Sequence, residues 1–163
     1  MVATLTYSHD LVTALSSRGS GSILTAPSSI DQQHRIITTE AFPEATRRLN
    51  EFAMLPPSWD TYDAKPIAAT AIHEARQLLA AVARRFANQT DRATPFFLAP
   101  LSYGGIQIEW RRPNKEIEVE IGPDGRFGYL RITGEGENRT FEERDYISAD
   151  QILECVVRLC DGN

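Results

Sequence analysis

Two cysteines, three histidines and no long apolar run are the most informative shortages in this chain of 163 residues. Cys155 and Cys160 fall five apart in what reads as the last helix. That spacing turns them to different faces, so neither a disulfide between them nor a shared metal is expected, and both read as small buried apolar residues. No pair of histidines or cysteines has zinc-ligand spacing, so no metal is predicted. No apolar run approaches the roughly 20 residues that a spanning helix needs, which predicts no membrane insertion. The opening stretch MVATLTYSHDLVTALS has no basic start and carries His9 and Asp10 in its middle. A secretory leader is therefore not expected, and the cytosol is the predicted location.

Positive charge is also short. With 17 Lys and Arg against 22 Asp and Glu, the net charge is -5, the wrong sign for affinity built on phosphate neutralisation, so nucleic acid is not expected as a direct ligand. The pairs Arg47-Arg48, Arg84-Arg85 and Arg111-Arg112 lie among interleaved acids and read as solvated faces and ion-pair partners. The glycine pairs in YGG (103–105) and GPDG (122–125) lack the lysine of a phosphate loop and do not open a helix, so they are turns and no cofactor is expected. No Gly-x-Ser-x-Gly elbow accompanies His73, which reads as a boundary histidine beside Glu74.

What is present describes one globular α+β domain with a preceding arm. Hydrophobic content of 42% and charged content of 24% are ordinary for a single domain of this size. Residues 1–37 are broken by SSRGSGS and APSS and read as a flexible, partly irregular N-terminal arm, with a short helix around His9–Leu15 and a brief strand in RIITT (35–39). Residues 38–163 read as the domain. Phe42, Ala45, Leu49 and Phe52 recur at helical spacing until Pro56-Pro57 ends the pattern. Ile72, Ala75, Leu79, Val82 and Phe86 mark a longer helix after Pro66.

The period then changes to two. PFFLA, GIQIEWRR, KEIEVEI and FGYLRIT predict an antiparallel meander of three to five strands, with RTFEE as a short edge strand and helices packed on one face. Ser148 and Gln151 form a capping box that opens a last helix. In the first hairpin, pairing Arg111 with Glu116 sets Trp110 against Ile117 and Ile108 against Val119. In the second, pairing Ile121 with Arg126 sets Val119 against Gly128 and Ile117 against Leu130, with Leu130 and Ile132 inward. The outward face then carries Glu109, Glu116, Glu118 and Glu120 with Gln107, Arg111, Tyr129 and Arg131. Glu109 stands opposite Glu118, a like-charge pair that asks for an offsetting cation.

The segment LPPSWDTYDAKPI (55–67) cannot be a continuous helix because of its prolines. Trp59 and Tyr62 within it either fold back as a plug between two helices or are presented as an interface anchor. SWDTYDAKPI, a following helix, GGIQIEW and EIEVEI with PDG together resemble a recurrent pattern in short bacterial proteins of uncharacterised function. Trp59, Asp60, Tyr62, Ala64, Pro66, Gly105, Ile106, Ile108, Glu109 and Trp110 carry the likeness, which spans residues 55–132. Thr61 stands where the pattern usually has a small residue, and Asp63 where it often has glycine. The resemblance implies one bacterial α+β domain and carries no mechanism.

These readings converge on a non-enzymatic cytosolic protein-interaction module. It would be a small acidic accessory or neutralising partner of the antitoxin or immunity type, or an assembly subunit. Its partner would be another protein, met through Glu109, Glu116, Glu118, Glu120, Arg111, Tyr129 and Arg131, with Trp59 and Tyr62. The alternative is a small metal-dependent hydrolase or nuclease that uses the acidic sheet face.

Overall fold

The computed structural model describes residues 28–162. Helix α1 (Ser29–Ala41) opens at Ser28, whose hydroxyl accepts the Asp31 N–H, and α2 (Pro43–Phe52) follows directly, its Pro43 filling the first-turn position where no N–H is needed. The strand expected in Arg35–Thr39 is not formed, and this stretch lies inside α1. The β-branched run is overruled by tertiary packing, because Thr38 is buried against α3 and Ile37 and Ala41 pack on the core. The part of the expected arm that is described, residues 28–37, is thus mostly helical. The remainder, including the helix expected around His9–Leu15, lies outside the described residues.

The long helix after Pro66 is α3 (Ala69–Arg85). A short 3-10 turn, Thr90–Ala93, leads to five strands: β1 (Phe97–Pro100), β2 (Ile106–Arg112), β3 (Lys115–Ile121), β4 (Phe127–Thr133) and β5 (Thr140–Ile147). They form an antiparallel meander in the order β1-β2-β3-β4-β5. Helix α4 (Ala149–Asp161) closes the described chain, and the predicted capping box is present: Ser148 Oγ accepts the Gln151 N–H while the Gln151 side chain accepts the Ser148 N–H.

Helices α2, α3 and α4 pack on the sheet. The sheet contributes Leu98, Ile106, Ile108, Trp110, Ile117, Val119, Ile121, Phe127 and Tyr129 to the core, and the helices add Leu49, Leu79, Val82, Ile152 and Val156. Trp110 is fully buried and satisfies its indole N–H by donating to the Ala93 carbonyl at 2.8 Å, as a buried ring N–H requires. Cys160 is buried and Cys155 half-buried, both as free thiols, and burial raises both above the ordinary thiol value.

The first hairpin has the expected register, Arg111 opposite Glu116 and Ile108 opposite Val119. The second does not. Phe127, not Arg126, stands opposite Ile121, so Tyr129 faces Val119 and Arg131 faces Ile117. The turn explains the slip. Gly122 N–H donates to the Arg126 carbonyl, leaving a loop of Pro123, Asp124 and Gly125, with Gly125 in the left-handed region at φ 82°. This is the turn-plus-glycine geometry of a three-residue hairpin loop, one residue shorter than the expected pairing assumed. Every β4 side chain consequently changes face. Tyr129, only 7% exposed, joins the core, whereas Leu130 and Ile132 turn to the opposite side.

Candidate functional site

The face of the sheet turned away from the core is built from three cross-strand rows. In the central row Phe97, Glu109, Glu118, Leu130 and Glu143 stand successively opposite one another. Beside it run Ala99, Gln107, Glu120, Gly128 and Asp145 on one side, and Arg111, Glu116, Ile132 and Phe141 on the other. The strands therefore set Glu109, Glu116, Glu118, Glu120, Glu143 and Asp145 on this face against the single arginine Arg111. The four predicted glutamates and Arg111 are brought together.

Two predicted members are not. Tyr129 and Arg131 belong to the helix side as a consequence of the shifted register. There Tyr129 Oη donates to Glu142 Oε1 at 2.8 Å and Arg131 pairs with Glu142. Glu143 and Asp145 take their place on the acidic face. The alternation of Phe141, Glu143 and Asp145 against Glu142 and Arg144 signals this in the sequence, but an edge strand ending at Glu143 stops short of it. β5 continues to Ile147 through a bulge. The pairing passes from Phe127 opposite Ile147 to Gly128 opposite Asp145, leaving Tyr146 unmatched at φ 56°.

The electrostatics are uneven. Gln107 Nε2 donates to Glu109 Oε1 at 2.8 Å and to Glu118 Oε2 at 3.3 Å, bridging two carboxylates with one neutral amide. Arg111 lies 2.7 Å from Glu116 but 3.6 Å from Glu109, and its guanidinium also covers the Phe96 ring at 4.1 Å. Glu109 is only 9% exposed. Burial, followed by the charges of Glu109 and Glu116, holds Glu118 above the ordinary carboxylate value.

Gly128 makes a notch in this face. A cavity of about 70 Å³ borders it, with Gln107, Glu118, Glu120, Glu143 and Asp145 on its rim. A Cβ built at Gly128 would meet Asp145 Oδ1 at 3.0 Å and the Arg144 carbonyl at 3.2 Å. Such a notch, ringed by carboxylates, has the size and charge to take the end of a lysine or arginine side chain.

The proline-rich loop is secured at the end of the sheet. Lys65 N–H donates to the Ser102 carbonyl at 2.7 Å and Ala68 N–H to the Gly104 carbonyl at 3.0 Å. The intervening turn carries Tyr103, whose hydroxyl donates to Glu120, and burial together with this carboxylate raises the phenol above its usual value. Trp59 is not the core plug that was one expectation. It is half-buried, outside the core cluster, and its indole N–H clasps the Lys65 carbonyl at 3.1 Å. Asp60 Oδ1 accepts the N–H groups of Tyr62 and Ala64 at 2.8 and 3.1 Å, and Ser58, Thr61 and Asp63 all adopt positive φ. Asp63 thus occupies the left-handed conformation that glycine favours. Tyr62 projects from the loop at 88% exposure. No hydrogen bond joins Trp59 or Tyr62 to the glutamates among the described residues.

Among the described residues, no group of three His, Cys, Asp or Glu side chains is arranged to hold a metal ion, and no helix is long and apolar enough to cross a membrane. No protein-family model matches the chain, and neither does any curated protein or solved structure.

Proposed function

We propose that this chain is a non-enzymatic interaction module that docks a basic protein partner on the acidic sheet face, acting in the cytosol as a small accessory or neutralising subunit. The observation that carries the reading is the Glu109–Glu118 pair, which is set directly opposite across β2 and β3 and bridged by a neutral glutamine. Like charges in this position cost stability, about 0.2–1 kcal/mol in typical sheets. A cationic side chain delivered to the adjoining Gly128 notch offsets that cost and neutralises the charge that keeps the face solvated.

Charge complementarity of this kind favours fast, partner-selective and salt-sensitive association. Phe97 and Phe141, both exposed at the ends of their rows, supply apolar contacts at the edges of the face, and Tyr62 offers an aromatic anchor from the loop. The test compares the wild-type chain with a Glu118→Gln/Glu120→Gln/Glu143→Gln variant as baits in the native cells, extracted at low salt. A basic protein recovered in stoichiometric amount with the wild type, and lost with the variant, supports the reading. Equal recovery of the same partner with both baits contradicts it.

A further inference from the structure

The second site is independent of the acidic face and lies between α1 and α3. There a cavity of about 170 Å³ is lined by Asp31, His34 and Arg35 from one helix and His73, Arg76 and Gln77 from the other. Residues three and four apart on a helix share a face, and these two sets obey that spacing, so two polar stripes oppose each other. The volume is far above the roughly 10–15 Å³ that a single ordered water requires.

The charges within it do not balance. Asp31 is the one carboxylate in the lining. It is engaged twice, with Oδ1 3.0 Å from His73 Nδ1 and Oδ2 accepting the Ser28 hydroxyl at 2.7 Å. Arg35 and Arg76 form no ion pair among the described residues, and neither does Arg84, the cation that bears on His34. Two nitrogens are buried with no hydrogen-bond partner among the described residues, His34 Nδ1 and Arg76 Nε. An arginine Nε always carries a hydrogen, so Arg76 holds a buried donor with no acceptor. Its Nη2 is fixed by Asn50 Oδ1 at 2.9 Å, which restrains the guanidinium. Burial and the crowding of like charges lower both Arg76 and His34 below their ordinary values.

We infer that the α1–α3 cleft is a binding site for a tetrahedral oxyanion of the phosphate class, held by Arg76, Arg35 and His34. A phosphate carries the negative charge that these two guanidinium groups, which line the cavity and form no ion pair among the described residues, lack. Arginine geometry suits such an ion. Bound there, the anion ties α1 to α3.

The test titrates the full chain with inorganic phosphate, with chloride at matched ionic strength as control. It follows arginine side-chain and histidine ring resonances together with thermal unfolding. The site predicts saturable shifts confined to Arg76, Arg35 and His34 and a melting temperature that climbs with phosphate concentration. Arg35→Gln, at an exposed position, should weaken phosphate binding roughly tenfold, the size of one charge-assisted hydrogen bond. Arg76→Gln should abolish it, and if that variant does not fold, Arg35→Gln and His34→Gln decide. Glycerol 3-phosphate in a parallel titration separates the sources. Tighter binding than inorganic phosphate supports a site for a phosphate monoester, and equal binding supports a site for the free ion. Shifts that chloride reproduces, shifts spread over arginines outside the cleft, or undiminished binding by Arg35→Gln would overturn the inference.

Discussion

Glu109 and Glu118 face each other across the β2–β3 ladder, and Arg111, the arginine of that sheet face, lies 2.7 Å from Glu116 but 3.6 Å from Glu109. The pair is therefore under-neutralised in the free protein, and this relationship generates the first expectation. Glu118→Gln keeps an acceptor for Gln107 while removing one of the two opposed charges. It should stabilise the fold by about 0.2–1 kcal/mol at pH 7.

The pH dependence fixes the sign. The folded state holds the Glu118 carboxyl above its ordinary value of 4.5, so the proton is bound more tightly folded than unfolded. Its contribution is fully favourable below the ordinary value and is lost as pH rises through the folded value. The advantage of Glu118→Gln should thus be present at pH 7 and fade below pH 4.5, as read from urea unfolding at both pH values. A variant less stable than wild type at pH 7 would contradict this.

On the opposite side of the sheet Glu142 behaves in the reverse sense. The Tyr129 hydroxyl, then Arg144 and Arg131, hold its carboxyl below the ordinary value of 4.5. Its stabilising contribution is present above that value and is lost as pH falls through the lowered one. Tyr129→Phe removes the largest cause, so the Glu142 titration followed by carboxyl NMR should move up toward 4.5 and acid unfolding should begin at higher pH. An unmoved titration would show that the arginines alone set it.

The loop offers a backbone test. Asp63 sits at φ 69°, where a branched side chain is strained and glycine is not. Asp63→Val should cost about 1–2 kcal/mol, whereas Asp63→Gly should hold stability within about 0.5 kcal/mol, because relief of strain offsets the loss of the Ser58 hydroxyl contact at 3.2 Å. Chemical denaturation of the two variants distinguishes them. Equal losses would show that the contact with Ser58, and not the backbone, dominates.

Much of the fold was legible because its signals are local and strong. The period-two runs of β2 and β3, the stripe of α3 and the Ser148/Gln151 box each specify their element without help from elsewhere. The first hairpin register was legible because burying Ile108 requires burying Val119 and Ile117. The second was not. Its register depends on whether Gly125 or a longer loop closes the turn, and the strand FGYLRIT has apolar residues on both faces, so either phase buries something. That ambiguity misplaced Tyr129 and Arg131 and hid Glu143 and Asp145. Helix α1 was illegible for a different reason. Its apolar residues are few, and what holds it is the contact of Thr38 and its neighbours with α3.

A backbone NMR titration of the full chain with a synthetic lysine- and arginine-rich peptide, at low and at high salt, reports directly on whether the acidic sheet face receives cationic side chains. Shifts should concentrate on Gln107, Glu109, Glu118, Glu120, Gly128, Glu143 and Asp145, weaken with salt and be lost in the Glu118→Gln/Glu120→Gln/Glu143→Gln variant. Shifts that fall elsewhere on the molecule, or that survive the removal of those three charges, would contradict docking on this face.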